Sequence, residues 1–189
     1  MKKNGMRIIL ALSFFLTATS GASQQRHSDG LDDVLQHVPM ASVLVLKATG
    51  VHSQANWTEL AFTALGSYAM SAAVTYSLKH IASERRPDDS DKKSFPSGHA
   101  TFAFAGATVL HHEFGHLSPW VTVSGYGLAT FVAVRRVALD RHYLHDVCAG
   151  AAIGVAATEL SYFIKKKLLK SDNVSLSFTG STVELALSL

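Results

Sequence analysis

From Trp57 to Leu78 the chain carries a single charge, Glu59, and no proline. A stretch this long and this apolar can cross a bilayer. In water it would need other helices wrapped around it. Three shorter apolar stretches follow: Gly98 to Leu110, Trp120 to Val134 and His145 to Ile164, the last closed by Lys165-Lys166-Lys167. Polar or glycine- and proline-marked turns separate them, including Arg86-Pro87 through Lys93 and His111 through Pro119. Ahead of the long stretch, Asp29 to Val38 reads as a short amphipathic helix with acidic residues in its first turn. Pro39 then opens an apolar run from Met40 to Leu46. Only after residue 173 does the pattern alternate, with Val174, Leu176 and Phe178 spaced by polar residues. The expected architecture is all-α, a membrane-embedded bundle of about five to six helices. A short β-like extension follows, and the division is 1–22, 23–170 and 171–189.

The first segment reads as export machinery. Lys2, Lys3 and Arg7 precede an apolar run from Ile8 to Leu16, and Ser20-Gly21-Ala22 offers small residues for cleavage. The pattern fits a signal peptide over 1–22 or an uncleaved anchor, and either places the chain in a bacterial envelope. If the lysines at 165–167 face the cytoplasm, the start of that helix at His145 lies outside. Alternating spans then bring Arg136, His99 and Lys79 to the same outer face. The expected location is the inner membrane with the site facing the periplasm, the soluble periplasm being the alternative. A net charge of +3 on 189 residues, with no basic stripe, excludes a nucleic-acid partner. A lone Cys148 allows no intrachain disulfide, and its Ala/Gly-rich setting predicts a small buried core residue.

Three groups of polar residues interrupt the apolar pattern at the ends of the helices. Lys79 is followed after six residues by Arg86-Pro87. Pro96-Ser97-Gly98-His99 comes next. Arg136, then after five residues His142, then after three residues Asp146, closes the set. Arginine presents a planar fork of donors that matches phosphate oxygens. Ser97 is a good N-cap, and a helix start favours an anion. If the segment after His142 is helical, Asp146 lies on its face and can accept from one ring nitrogen.

These three groups, in this order and at this spacing, resemble the type 2 phosphatidic acid phosphatase superfamily. That superfamily also holds bacterial class A acid phosphatases and vanadium haloperoxidases. The resemblance implies a phosphate ester or pyrophosphate hydrolase. His142 would be the nucleophile that forms a phosphohistidine, with Asp146 behind it. His99 would be the acid for the leaving group and then the activator of water. Lys79, Arg86 and Arg136 would hold the phosphate oxygens, with Ser97 and the N–H groups of Gly98 and His99. No metal or other cofactor is implied, since side-chain cations neutralise the phosphate. The chain departs from the family pattern at Arg135, where the resemblance would place a serine that gives one phosphate hydrogen bond.

Hydrophobicity points to a phosphorylated lipid substrate and membrane lipid as the partners. Candidates are undecaprenyl pyrophosphate, lipid A, phosphatidylglycerol phosphate and phosphatidic acid. A broad-specificity soluble periplasmic acid phosphatase is the alternative. A haloperoxidase and a catalytically silent membrane-binding protein are the remaining readings. A competing motif, His112-Glu113-Phe114-Gly115-His116, matches the H-E-x-x-H pattern of zinc peptidases. Gly115 and Ser118-Pro119 set it in a turn with no third ligand, on the side opposite the other motifs. His37, His52, His80, His111 and His145 have no evident partners in the sequence.

Overall fold

A computed structural model describes residues 28–170 and the backbone of the strands at 174–179 and 182–187. Among the described residues six helices run in order: α1 Ser28–Leu35, α2 Val38–Ala48, α3 Trp57–Ala82, α4 Gly98–Phe114, α5 Pro119–Ala138 and α6 Leu144–Lys170. A two-stranded antiparallel hairpin follows, β1 Val174–Thr179 with β2 Thr182–Leu187, in a register that pairs Val174 with Leu187. The expected signal segment, 1–22, lies outside the described residues.

Local chemistry sets the helix ends. Asn56 caps α3 by accepting from Glu59 N, Ser97 caps α4 by accepting from Ala100 N, and Ser118 caps α5 by accepting from Trp120 N. Pro119 begins α5, where its missing N–H costs nothing. Ser83 ends α3 in the left-handed region at φ 45°. Several helices run past the ends read from sequence, α3 to Ala82 and α6 to Lys170 among them. Helix α4 continues through Phe114 instead of turning at His111, and α5 continues through Ala138. His111, His112 and Glu113 therefore lie in the last turn of α4, and Arg135 and Arg136 in the last turn of α5. In both cases packing of the final turn overrides the polar residues that suggested a loop.

Small residues line much of the interior around α4. Helix α4 is central and buries Ala100, Ala103, Ala105, Gly106 and Ala107. Helix α3 turns inward a row of hydroxyls, Thr63, Ser67, Ser71 and Thr75. These are largely satisfied at short range: Ser67 Oγ donates to Thr63 O at 2.6 Å, and Thr75 Oγ1 lies 3.3 Å from Thr101 Oγ1. A Cβ at Gly150 or Gly154 would collide with the backbone carbonyls of Ser97 and Thr101, so α6 lies backbone to backbone on α4. Leu60, Val109, Leu110 and Phe114 fill a buried apolar cluster, and many other large apolar side chains face outward. Leu65, Ile81 and Trp120 are each more than 70% exposed, joined by Val74, Phe131, Leu160 and Phe163. Inward hydroxyls on α3 together with this much exposed apolar surface depart from the pattern of a water-soluble bundle. Among the described helices, α6 over Leu144–Leu168 is the one long and apolar enough to cross a membrane; α3, expected from sequence to be able to span, falls short because its inward hydroxyls lower its hydropathy. Cys148 corrects an expectation: it is exposed, because its neighbours Asp146 and Val147 take the inward positions of α6.

Candidate active site

The site gathers at one end of the bundle, where α3 ends, α4 and α6 begin, and α5 leads into a short loop. His142 lies in that loop. Its backbone N–H and that of Arg141 donate to the Arg136 carbonyl, at 3.2 and 3.0 Å, which ties the loop to the last turn of α5. The ring is 2% exposed. Nδ1 lies 3.3 Å from Asp146 Oδ2, and Nε2 lies 3.3 Å from Arg86 Nη1. A guanidinium can only donate, so Nε2 is the accepting nitrogen and Nδ1 carries the proton toward the carboxylate. The ring is thus held neutral with its lone pair facing an arginine. Burial, and then the charges of Arg86, Lys79 and Arg136, pull the His142 pKa well below the ordinary histidine value, and Asp146 opposes them.

Asp146 is fully buried and crowded with donors. Besides His142, Oδ2 accepts from Ser94 Oγ at 2.5 Å and from Tyr143 N at 2.9 Å. Ser94 is itself buried, with its N–H on Glu84 O at 2.9 Å. The backbone of Asp146 also joins two motifs, since its carbonyl accepts from Ser97 N at 3.0 Å. Sequence reasoning missed Ser94, because a lone serine ahead of Phe-Pro carries no spacing signal. It also left His145 without a partner. In the structure His145 Nε2 lies 3.0 Å from Glu84 Oε1 and 3.0 Å from Asp146 Oδ1, and the ring stacks on Tyr143. Glu84, His145 and Asp146 are the one described group whose ligand-type atoms come within 4.8 Å of one another. The imidazole bonded to Glu84 beside Asp146 accounts for that closeness.

The cations are placed by loops that brace each other. Asp88 N donates to Asp140 O at 3.1 Å, and Arg141 Nη1 reaches Asp88 Oδ2 at 2.6 Å. Arg86 Nη1 donates to Arg141 O at 3.1 Å, while its Nε is held by Asp91 at 2.8 Å. Lys79 serves the loop before α4: its ammonium donates to the carbonyls of Lys93, Ser94 and Pro96 at 2.7, 3.4 and 2.6 Å. Three donors meet three carbonyls, so Lys79 clamps the segment that carries Ser97, Gly98 and His99. Ser97 is buried as the N-cap of α4. The first N–H groups of that helix, at Gly98 and His99, belong to the part of a helix that has no partner of its own.

Arg136 is buried, and its Nη1 donates to Asp32 Oδ2 at 3.1 Å. Arg135, which stands where serine was expected, donates from Nε to the other oxygen of Asp32 at 2.7 Å. The extra guanidinium thus shares a carboxylate with Arg136. The next residue on α1, Asp33, lies 2.8 Å from His99 Nε2 through Oδ1. From sequence alone these acidic residues complement the dipole of a short helix. In the structure they reach into the site.

The bundle thus brings the three motifs together around a buried histidine backed by Asp146 and faced by Arg86. The chain belongs to the PAP2 superfamily, whose family model matches residues 60–170. A lipid A 1-phosphatase of Porphyromonas gingivalis is 33% identical over 141 residues, covering 74% of this chain and 32% of that protein. The chain therefore spans about a third of the length of the curated relative it matches. Among solved structures, LpxE of Aquifex aeolicus superposes with a TM-score of 0.55 at 22% identity, over 74% of this chain and 88% of that one. A transmembrane PAP2-type phosphatidylglycerolphosphate phosphatase of Bacillus subtilis superposes with a TM-score of 0.53 at 21% identity, over 89% and 98%. At that identity the two structures establish the fold.

Proposed function

We propose that this chain is a lipid phosphatase that works through a phosphohistidine on His142. The observation that carries the reading is the state of His142: buried, hydrogen-bonded through Nδ1 to Asp146, and presenting Nε2 to Arg86. Nε2 attacks phosphorus as the bond to the leaving oxygen breaks, and His99 supplies the proton that oxygen needs. Asp146 stabilises the positive charge that develops on the ring. Arg86 and Arg136 hold charge on the phosphoryl oxygens, with the N–H groups of Gly98 and His99 at the start of α4. Water then attacks the phosphohistidine, His99 takes its proton, and phosphate leaves. The two guanidiniums, with the Lys79 ammonium close behind them in the loop it clamps, supply the neutralisation that a metal supplies elsewhere.

A lipid is the favoured substrate because large apolar side chains cover the outside of the bundle. The named relative makes a glycolipid 1-phosphate such as lipid A the first one to try. Phosphatidylglycerol phosphate, phosphatidic acid and undecaprenyl pyrophosphate complete the set. Placement in an inner membrane with the site toward the periplasm agrees with the lysines at 165–167, at the end of α6 away from His142. The test is phosphate release by purified protein in detergent from these four lipids and from water-soluble esters. Release from a lipid that is absent in His142→Ala supports the reading. Release from soluble esters alone would favour the broad-specificity acid phosphatase.

A further inference from the structure

We propose that Asp33 is the positioning residue of the general acid, forming with His99 a second histidine–carboxylate pair opposite the His142–Asp146 pair. The inference rests on the assignment of His99 as the acid. Its geometric basis is the 2.8 Å contact between Asp33 Oδ1 and His99 Nε2. A carboxylate accepts only, so the proton on Nε2 is committed to Asp33, and the proton given to the leaving oxygen is the one on Nδ1.

Helix α1 delivers Asp33 from a fixed position. Asp32, one residue earlier, is fully buried between Arg135 Nε and Arg136 Nη1. Leu35 is buried against Ala103, Ala107, Ala129 and Val132 of α4 and α5. These two anchors hold α1 so that Asp33 meets His99 from outside. Its side chain stays 61% exposed, so it backs the ring rather than filling the space beside His142.

The proton count closes over both steps. In the first, the P–N bond to His142 forms, the P–O bond breaks, and His99 Nδ1 gives its proton to the leaving oxygen. His99 is left neutral, with Nε2–H still on Asp33. In the second, water attacks phosphorus, its proton goes to Nδ1, the P–N bond breaks and phosphate departs. Asp33 holds one ring orientation through both transfers and stabilises the imidazolium at the start and the end.

The test uses full-length protein in detergent with two probes, 4-nitrophenyl phosphate and phenyl phosphate. The nitrophenolate leaves readily without a proton, and the phenolate needs one. Asp33→Asn is expected to lower kcat/KM for phenyl phosphate ~10-fold and to leave 4-nitrophenyl phosphate within about twofold. His99→Ala is expected to widen the same gap further, and Asp33→Glu to restore most of it. The ratio of the two substrates does not depend on the fraction of protein that is folded. An equal loss on both substrates in Asp33→Asn, no loss, or a gain would overturn the proposal when His99→Ala does widen the gap. If His99→Ala leaves the gap unchanged, the assignment of His99 as the acid falls, and Asp33 with it.

Discussion

Helix α4 has a histidine-bearing motif at each end, and the two ends do different things. At the start, Ser97 to His99 meets Asp33, the Asp146 backbone and the loop clamped by Lys79. About 25 Å away along the helix, His112-Glu113-x-x-His116 meets mostly rings and carboxylates. Glu113 is fully buried, accepting from Ala55 N at 2.9 Å and Tyr162 OH at 2.8 Å. His112 stacks on Tyr162 and pairs with Glu159 at 2.9 Å, and His116 packs edge-on against His52. A cavity of ≈ 750 Å³ opens there, lined by Glu59, Glu159, Lys165 and Lys166 among others, in which the two signs of charge balance. What separates a site from a motif is the convergence of unlike groups around one reactive atom. His142 has a carboxylate on one nitrogen and a guanidinium on the other. At the far end, both oxygens of Glu113 are spent on holding α2's exit loop and α6 to α4.

Substitutions at the two ends should therefore separate chemistry from folding. The largest effect is expected for His142→Ala, a loss of ~10³-fold or more in phosphate release with the fold retained, read by turnover beside circular dichroism. Arg86→Gln should cost ~10²-fold and change the titration of His142. In the native protein that ring stays neutral as pH falls through 6.5, because burial and the Arg86 charge hold its pKa down. On the proposed mechanism His142 therefore remains able to attack phosphorus into acid. The same depression destabilises the fold there, since below pH 6.5 the unfolded chain takes up a proton that the folded ring does not. Removing the Arg86 charge should raise the pKa, a shift visible in the ring nitrogen resonances. At the other end, Glu113→Ala should cost about 2 kcal/mol in stability with turnover per folded molecule preserved. The smallest effect is expected from a chelator, which should change neither turnover nor thermal midpoint. Metal-dependent activity lost with Glu113 would reverse the comparison.

Much of this was legible in the residues. Continuous apolar stretches bounded by polar turns located α3 through α6, and the motif spacing brought Arg86, Ser97, His142 and Asp146 together because each falls at or beside the end of a helix. What was not legible depended on contacts distant in sequence. Asp32 and Asp33 looked like helix-capping charges because their partners, Arg135, Arg136 and His99, lie 66 to 104 residues away. Lys79 looked like a phosphate ligand, and the structure spends its donors on backbone carbonyls, which no spacing rule encodes. The inward row of Thr63, Ser67, Ser71 and Thr75 was hidden by the overall apolarity of α3, since periodicity tracks hydrophobicity better than size.

The most direct measurement is a rapid-quench search for phosphate bound to protein in His99→Ala, using 4-nitrophenyl phosphate labelled at phosphorus. This leaving group needs no acid, so the first step proceeds, and the second slows without a group to take the proton from water. The expected result is a burst of nitrophenol matched by an acid-labile, alkali-stable label that maps to His142. A burst with the label on any other residue, or turnover with no protein-bound phosphate at any time, would contradict the account.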